Sequence, residues 1–174
     1  MRIGLVGVGA MGTPMAMKDQ AFQIRQAVLQ DSDQILACLQ AAFAPYKDLY
    51  TAAAFADTVL NSLAIKTRLR QMHMLVATSQ DQIIGTVSGA ARADGEGHLR
   101  GMAILPEYQN TGVAKDLLTA IEHWLKSHRC NRVTLDTTLP LQRAMKFYEK
   151  NGYERSGGTT DFFGMTLIEY AKDI

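Results

Sequence analysis

Ile104-Leu105-Pro106-Glu107-Tyr108-Gln109-Asn110-Thr111-Gly112-Val113-Ala114 is the stretch on which the fold turns. Ile104 and Leu105 end an apolar run and Pro106 closes it. Residues 109–114 then form a short loop that opens a helix at Gly112. A helix N-terminus carries unpaired N–H groups and a partial positive charge, so such a loop holds a diphosphate without needing a lysine. The small residues Gly112 and Ala114 leave room for phosphate oxygens to approach the backbone.

A second motif follows in Ala144-Met145-Lys146-Phe147-Tyr148-Glu149-Lys150-Asn151-Gly152-Tyr153, an amphipathic helix ending in an Asn-Gly turn. The loop at Gln109, Asn110, Thr111, Gly112, Val113 and Ala114 resembles the (Gln/Arg)-x-x-Gly-x-(Gly/Ala) acetyl-coenzyme A loop of the GNAT superfamily of N-acetyltransferases. The second motif is similar to the helix and turn with which that superfamily sets a tyrosine beside the coenzyme sulfur. Two motifs in the right order extend the resemblance over about residues 21–170. It implies an α/β fold of the α+β kind: a mixed, mostly antiparallel central sheet of about six or seven strands, flanked by about four helices. One domain over residues 18–174 is expected, with residues 1–17 as an appended segment.

Bulk properties suit a small enzyme domain, since 174 residues are enough for one well-buried core and short for two. A net charge of +1, from 18 Lys and Arg against 17 Asp and Glu, gives no basic field for nucleic acid. Cys38 and Cys130 have no framework spacing and are read as reduced thiols of a cytoplasmic protein. The uncharged apolar stretch over residues 3–17 is too short and too rich in glycine to cross a bilayer, so no membrane association is expected. The same stretch, Ile3-Gly4-Leu5-Val6-Gly7-Val8-Gly9-Ala10-Met11-Gly12, holds a Gly-x-Gly-x-x-Gly after a strand-like run and resembles the opening of a β-hydroxyacid dehydrogenase. Only about nine residues separate Gly12 from the next strand-like run, too few for a crossover unit of roughly 30 residues. Asp31 stands where a ribose-binding carboxylate would, but Asp31-Ser32-Asp33-Gln34 reads better as a helix cap. An NAD(P)-binding module is thus the disfavoured alternative.

Along the chain, residues 22–28 alternate as a half-buried strand. A capped helix follows from about Ser32 with Ile35, Leu36, Leu39 and Phe43 on one face, stopping near Pro45. A second helix over residues 52–70 carries Phe55, Val59, Leu63 and Leu69 as its inward stripe. Residues 74–78 and 83–93 read as a hairpin, residues 97–105 as the next strand, and residues 112–128 as a helix with Val113, Leu117, Ile121, Trp124 and Leu125 facing the sheet. Residues 133–138 form a β-branched strand. The resemblance implies that it splays away from the preceding strand to admit the pantetheine arm, which pairs with the backbone of Met102, Ala103 and Ile104.

The implied reaction is direct acetyl transfer from acetyl-CoA, as co-substrate, to a primary amine of a small molecule or of a protein or peptide. It needs a base for the amine and a proton for the leaving thiolate. Tyr148 matches the family's tyrosine: a phenol of pKa about 10 can protonate a thiolate of pKa roughly 8.5 when hydrogen-bonded to it. The bland reading of Tyr148 is a core aromatic, and a protein that binds coenzyme A without catalysis would have that reading. The residue eight before Pro106, where some members carry a glutamate, is His98, which can act as a base at neutral pH or stand idle on the strand. Glu96 lies on the same strand face and can serve through water. The family often has an asparagine where this chain has Leu141, with Gln142 or Thr138 as possible replacements.

The acceptor side is implied to lie between residues 44–50 and the final hairpin, with Tyr46, Tyr50, Phe162 and Phe163 holding an apolar amine, and Asp48 and Asp161 drawing an ammonium group; packing accounts for the aromatics equally well. His73, His98, His123 and His128 with two scattered cysteines show no metal-ligand spacing. The last strands are the expected place for any homodimer contact.

Overall fold

The computed structural model describes residues 21–174, and the expectations for residues 1–17 lie outside them. Seven strands form one sheet: β1 (Gln23–Gln26), β2 (His73–Ser79), β3 (Gln82–Ala91), β4 (Glu96–Ile104), β5 (Arg132–Thr138), β6 (Glu154–Phe162) and β7 (Met165–Asp173). Their order across the sheet is β1-β2-β3-β4-β5-β7-β6. β4 and β5 run parallel, and every other neighbouring pair is antiparallel. Five helices flank it: α1 (Ser32–Phe43), α2 (Ala52–Thr58), α3 (Ser62–Gln71), α4 (Val113–Ser127) and α5 (Gln142–Lys150). The mixed, mostly antiparallel α+β architecture expected from the sequence is the one observed, with one helix more.

The extra helix comes from a break inside the expected helix over residues 52–70. Val59 leaves helical geometry at φ −97°, ψ 87°, and Asn61 restarts the helix by accepting a hydrogen bond from the Ala64 amide at 2.9 Å. The restart changes which residues face inward. Leu63, expected in the apolar stripe, is 73% exposed, whereas Ile65 and Arg68 are buried.

A second correction concerns Asp31. Its carboxylate does not cap α1; it accepts from the Val28 amide at 2.8 Å and forms a two-pronged pair with Arg25 at 2.7 and 2.9 Å. Gln34, the other half of the expected capping box, accepts instead from the Ile83 amide at 2.9 Å. The pair with Arg25 holds the Asp31 carboxyl below its ordinary pKa. Strand β1 is correspondingly shorter than read, and Val28 is exposed.

The β2–β3 and β6–β7 hairpins have two-residue turns, Gln80-Asp81 and Phe163-Gly164, with positive φ at both positions, the geometry whose twist matches that of the strands. Helix α4 lies on the sheet through Leu117, Ile121 and Leu125, all buried. Three glycines make room for it: a Cβ at Gly85 would stand 3.0 Å from Leu117, at Gly89 2.9 Å from Ile121, and at Gly97 2.8 Å from Leu125. Close-packed contacts of this kind leave a cavity when a side chain is cut back. Ile121→Ala is therefore expected to cost about 2–5 kcal/mol of stability in urea unfolding. Trp124, read as core, is half-buried and stacks between His73 and His128 with ring centroids 4.2 and 4.1 Å away. Cys38 and Cys130 are both buried and unpaired, and burial pushes the Cys38 thiol up to about 12.

Candidate active site

The parallel pairing of β4 with β5 covers only residues 96–99 against 132–135. Beyond Leu99 and Leu135 the strands part. The cause sits in β4, where the register against β3 slips between Thr86 and Ser88, leaving Gly101 and Met102 opposite Val87 as a bulge, with Gly101 at φ 65°. The opening becomes a cavity of about 810 Å³ walled by β4, β5, α5, the loop after β4 and the elements from α1 to α3. Met102, Ala103 and Ile104 line it, as do Tyr46, Tyr50, Phe162, His98 and Tyr148.

At one end lies the loop before α4. Asn110 at φ 64° and Gly112 at φ 95° turn the chain so that the amides of residues 110–114 find no protein acceptor among the described residues. Nothing lies within 4 Å of where a Cβ on Gly112 would be. Gln109, Asn110, Gly112 and Ala114 line the cavity directly. Thr111 and Val113 contribute only backbone: the Thr111 hydroxyl donates to the Tyr108 carbonyl, and Val113 is fully buried in the core. Lys115 and Arg143 add positive charge to this wall, with Arg143 reaching Asn110 at 3.5 Å. Helix α4 begins at Val113, one residue later than read, because Gly112 is its left-handed cap.

Tyr148, on the inner face of α5, packs edge-on against Phe147 and Tyr153. Its hydroxyl has a single hydrogen-bond partner among the described residues, Met102 Sδ at 3.5 Å, a weak acceptor. Burial pushes its pKa above that of a free phenol, so it carries its proton at neutral pH. Leu141 lines the cavity at the start of α5, where the resemblance implies an asparagine. Gln142 does not replace it, since its amide turns back to the Leu139 carbonyl at 2.7 Å. Thr138 does line the cavity and bonds Tyr50 Oη at 2.6 Å.

His98 projects from β4 into the same space. Its Nδ1 is 3.0 Å from Thr134 Oγ1, and that hydroxyl donates to Glu96 Oε1 at 3.1 Å. A threonine hydroxyl has one hydrogen to give. Having given it to the carboxylate, it accepts from Nδ1, which leaves the lone pair on Nε2. Asp136 Oδ2 lies 3.7 Å from Nε2. Burial is the largest influence on His98 and lowers its pKa, with Asp136 opposing, so the imidazole is neutral at pH 7. Glu96 itself does not line the cavity; it acts on His98 through Thr134 and is held by Arg92.

Asp48, Asp161 and Phe163 lie outside the cavity lining, because the 3₁₀ turn at Ala44–Leu49 and the β6–β7 hairpin turn them toward solvent. The carboxylates that do face the cavity are Asp57 and Asp136, joined by the guanidinium groups of Arg68 and Arg100. None of these four sits in a motif. Thr134 and Asp136 could have been found by assuming the parallel register of β4 with β5, which sets Thr134 opposite His98. Among the described residues no three His, Cys, Asp or Glu side chains gather as a metal site.

With this geometry in place, the comparisons are unambiguous about family. The chain belongs to the acetyltransferase (GNAT) family, whose model matches residues 32–153. A curated relative, the N-acetylaspartate synthetase of Danio rerio, is 33% identical over 94 residues, which are 52% of this chain and 33% of that protein. The chain thus spans about a third of the length of the relative it matches. The fold matches that of the PaiA N-acetyltransferase of Thermoplasma acidophilum in complex with coenzyme A, at TM-score 0.74 and 18% identity, covering 88% of this chain and 99% of that one. It also matches the ribosomal-protein-S18-alanine N-acetyltransferase of Escherichia coli, at TM-score 0.70 and 16% identity, covering 88% and 94%.

Proposed function

We propose that the chain transfers an acetyl group from acetyl-CoA to the primary amine of a small molecule, directly and within one ternary complex. The observation that carries this reading is the seam between β4 and β5: it has amides without a protein acceptor among the described residues at one end, and both Tyr148 and a Thr134-bonded His98 in its lining, all in one cavity. The residues fit the coenzyme, since among the described residues the space beside Gly112 is open and the amides of residues 110–114 point to no protein acceptor. The backbone of residues 102–104 is the edge with which the pantetheine amides would pair. The Danio rerio relative is an N-acetylaspartate synthetase, named for a small acetylated amine, which supports a small-molecule acceptor.

Acetyl-CoA, when bound, supplies an acyl carbon activated as a thioester. His98 Nε2 takes the proton of the incoming ammonium, and Asp136 becomes the ion partner of the imidazolium so formed. The freed amine forms the new C–N bond as the C–S bond breaks, Tyr148 gives its phenolic proton to the departing sulfur, and the proton that the nitrogen sheds on becoming an amide restores the Tyr148 phenol. Thr134 and Glu96 keep the His98 proton on Nδ1 throughout.

Tyr148→Phe tests catalysis against mere coenzyme binding. It keeps the ring packing and removes one hydroxyl whose one hydrogen-bond partner among the described residues is a thioether. The expected result is a fall in kcat of about a hundred-fold, with the KM for acetyl-CoA nearly unchanged, read by release of free thiol. Unchanged turnover would favour a coenzyme-binding protein whose Tyr148 is only a core aromatic.

A further inference from the structure

Arg68 lines this cavity, and the reaction above does not use it. The restart of α3 at Asn61 places it on the inner face beside Ile65, where it is 8% exposed. Its guanidinium lies over the bulge: a Cβ on Gly101 would be 2.7 Å from Nη1. Gly101 is thus the residue that gives the guanidinium its space. Arg68 lines the cavity together with Asp57, His98 and Arg100. The nearby carboxylate is already engaged, since Asp57 Oδ2 pairs with Arg100 Nη2 at 2.5 Å. Arg68 itself forms no hydrogen bond or ion pair among the described residues.

A guanidinium with five N–H donors, on a residue only 8% exposed, thus lines the cavity with no protein acceptor among the described residues. Such an arrangement is costly in a finished core, where removing the partner of a buried charge is strongly destabilising. At the wall of a substrate cavity it is the ordinary way to hold an anion. Burial and the neighbouring Arg100 lower the Arg68 pKa to about 10, with Asp57 opposing, so the charge persists at neutral pH.

The position identifies which anion. Along β4, His98 and Arg100 come before the bulge at Gly101, and the phosphate-binding loop lies past Ile104. Arg68 stands over the β4 bulge at Gly101, ahead of the phosphate-binding loop, beside Arg100 and Asp57 and lining the same cavity as His98, so its partner is assigned to the acceptor. We infer that the acceptor amine carries a carboxylate, which Arg68 holds by a two-pronged hydrogen bond while the ammonium end faces His98 and Asp136. The acceptor class is then an amino acid or a similar short zwitterion. This inference rests on the acetyltransferase reading of the same cavity.

The test separates the two. Glycine, L-aspartate and L-glutamate, each beside its fully amidated form, are titrated calorimetrically into the full chain saturated with coenzyme A, and the same pairs are assayed for acetylated product with acetyl-CoA. At least one acid is expected to bind about ten-fold or more tightly than its amide, and Arg68→Gln is expected to abolish that difference while acetyl-CoA still titrates normally. Arg68→Met, which removes an unpartnered buried cation, is expected to melt at a higher temperature than the wild type without acceptor and to gain no protection from the acids. Equal binding of acids and amides by the wild type, or a preference that survives in Arg68→Gln and Arg68→Met, would overturn the carboxylate inference even if product forms. A preference for acids with no acetylated product would retain the anion site and refute the transferase.

Discussion

His98→Ala is expected to lower kcat/KM for the amine by about a hundred- to ten-thousand-fold, the range that a positioned general base contributes. The pH profile gives the more specific signature. In the wild type, burial favours neutral His98, so its folded pKa lies below the roughly 6.5 of free imidazole. Protonation fills the Nε2 lone pair, and activity is therefore lost as pH falls through that value and is full above it. The acidic limb of kcat/KM is expected below about pH 6.5 and is expected to vanish in His98→Ala. A variant that keeps both the limb and the rate would show that ordered water, not His98, carries the proton.

Gly112→Asp carries the second large effect. The left-handed backbone at φ 95° costs an L-residue about 1–2 kcal/mol, and the open space beside it would be filled by a carboxylate where the coenzyme phosphates are to sit. Two charge-assisted hydrogen bonds lost at about 1.5–3 kcal/mol each amount to a hundred-fold or greater loss of acetyl-CoA affinity. Gly112→Ala shares the backbone strain without the charge, and a much smaller loss is expected. Calorimetric titration of acetyl-CoA into the two variants reads the difference directly. Equal affinity in wild type and Gly112→Asp would mean that the diphosphate lies elsewhere.

The parts of this site that were legible in the sequence are those written in local order. The strand, turn and helix start at residues 104–114 need only neighbours to form, and so does the helix that presents Tyr148. The tyrosine and the loop meet because α5 follows β5 directly across the seam. What was not legible depends on pairing between distant segments. His98, Thr134 and Glu96 make one hydrogen-bonded line only because β4 and β5 lie parallel in a register that puts residue 98 beside residue 134.

Arg68 was hidden for a different reason. Residues 52–70 have a continuous helical pattern of apolar residues, and Asn61 within it is an ordinary polar position until the chain kinks there and its side chain becomes a cap. That cap rotates Leu63 outward and Arg68 inward, against the preference of each residue. A sequence pattern that is broken in this way, with an apolar residue exposed so that a cation can be buried, marks a position held for binding rather than for stability. Asp31 shows the opposite case, a residue with good capping credentials taken by the arginine of β1 just before it.

The central claim is that the seam between β4 and β5, with the loop at residues 109–114 at one end, is a coenzyme A site. Calorimetric titration of the full chain with acetyl-CoA, and separately with NADH and NADPH, tests it most directly. One saturable acetyl-CoA site per chain, with no heat from either nicotinamide, is the result predicted; nicotinamide binding with none for acetyl-CoA would contradict the account.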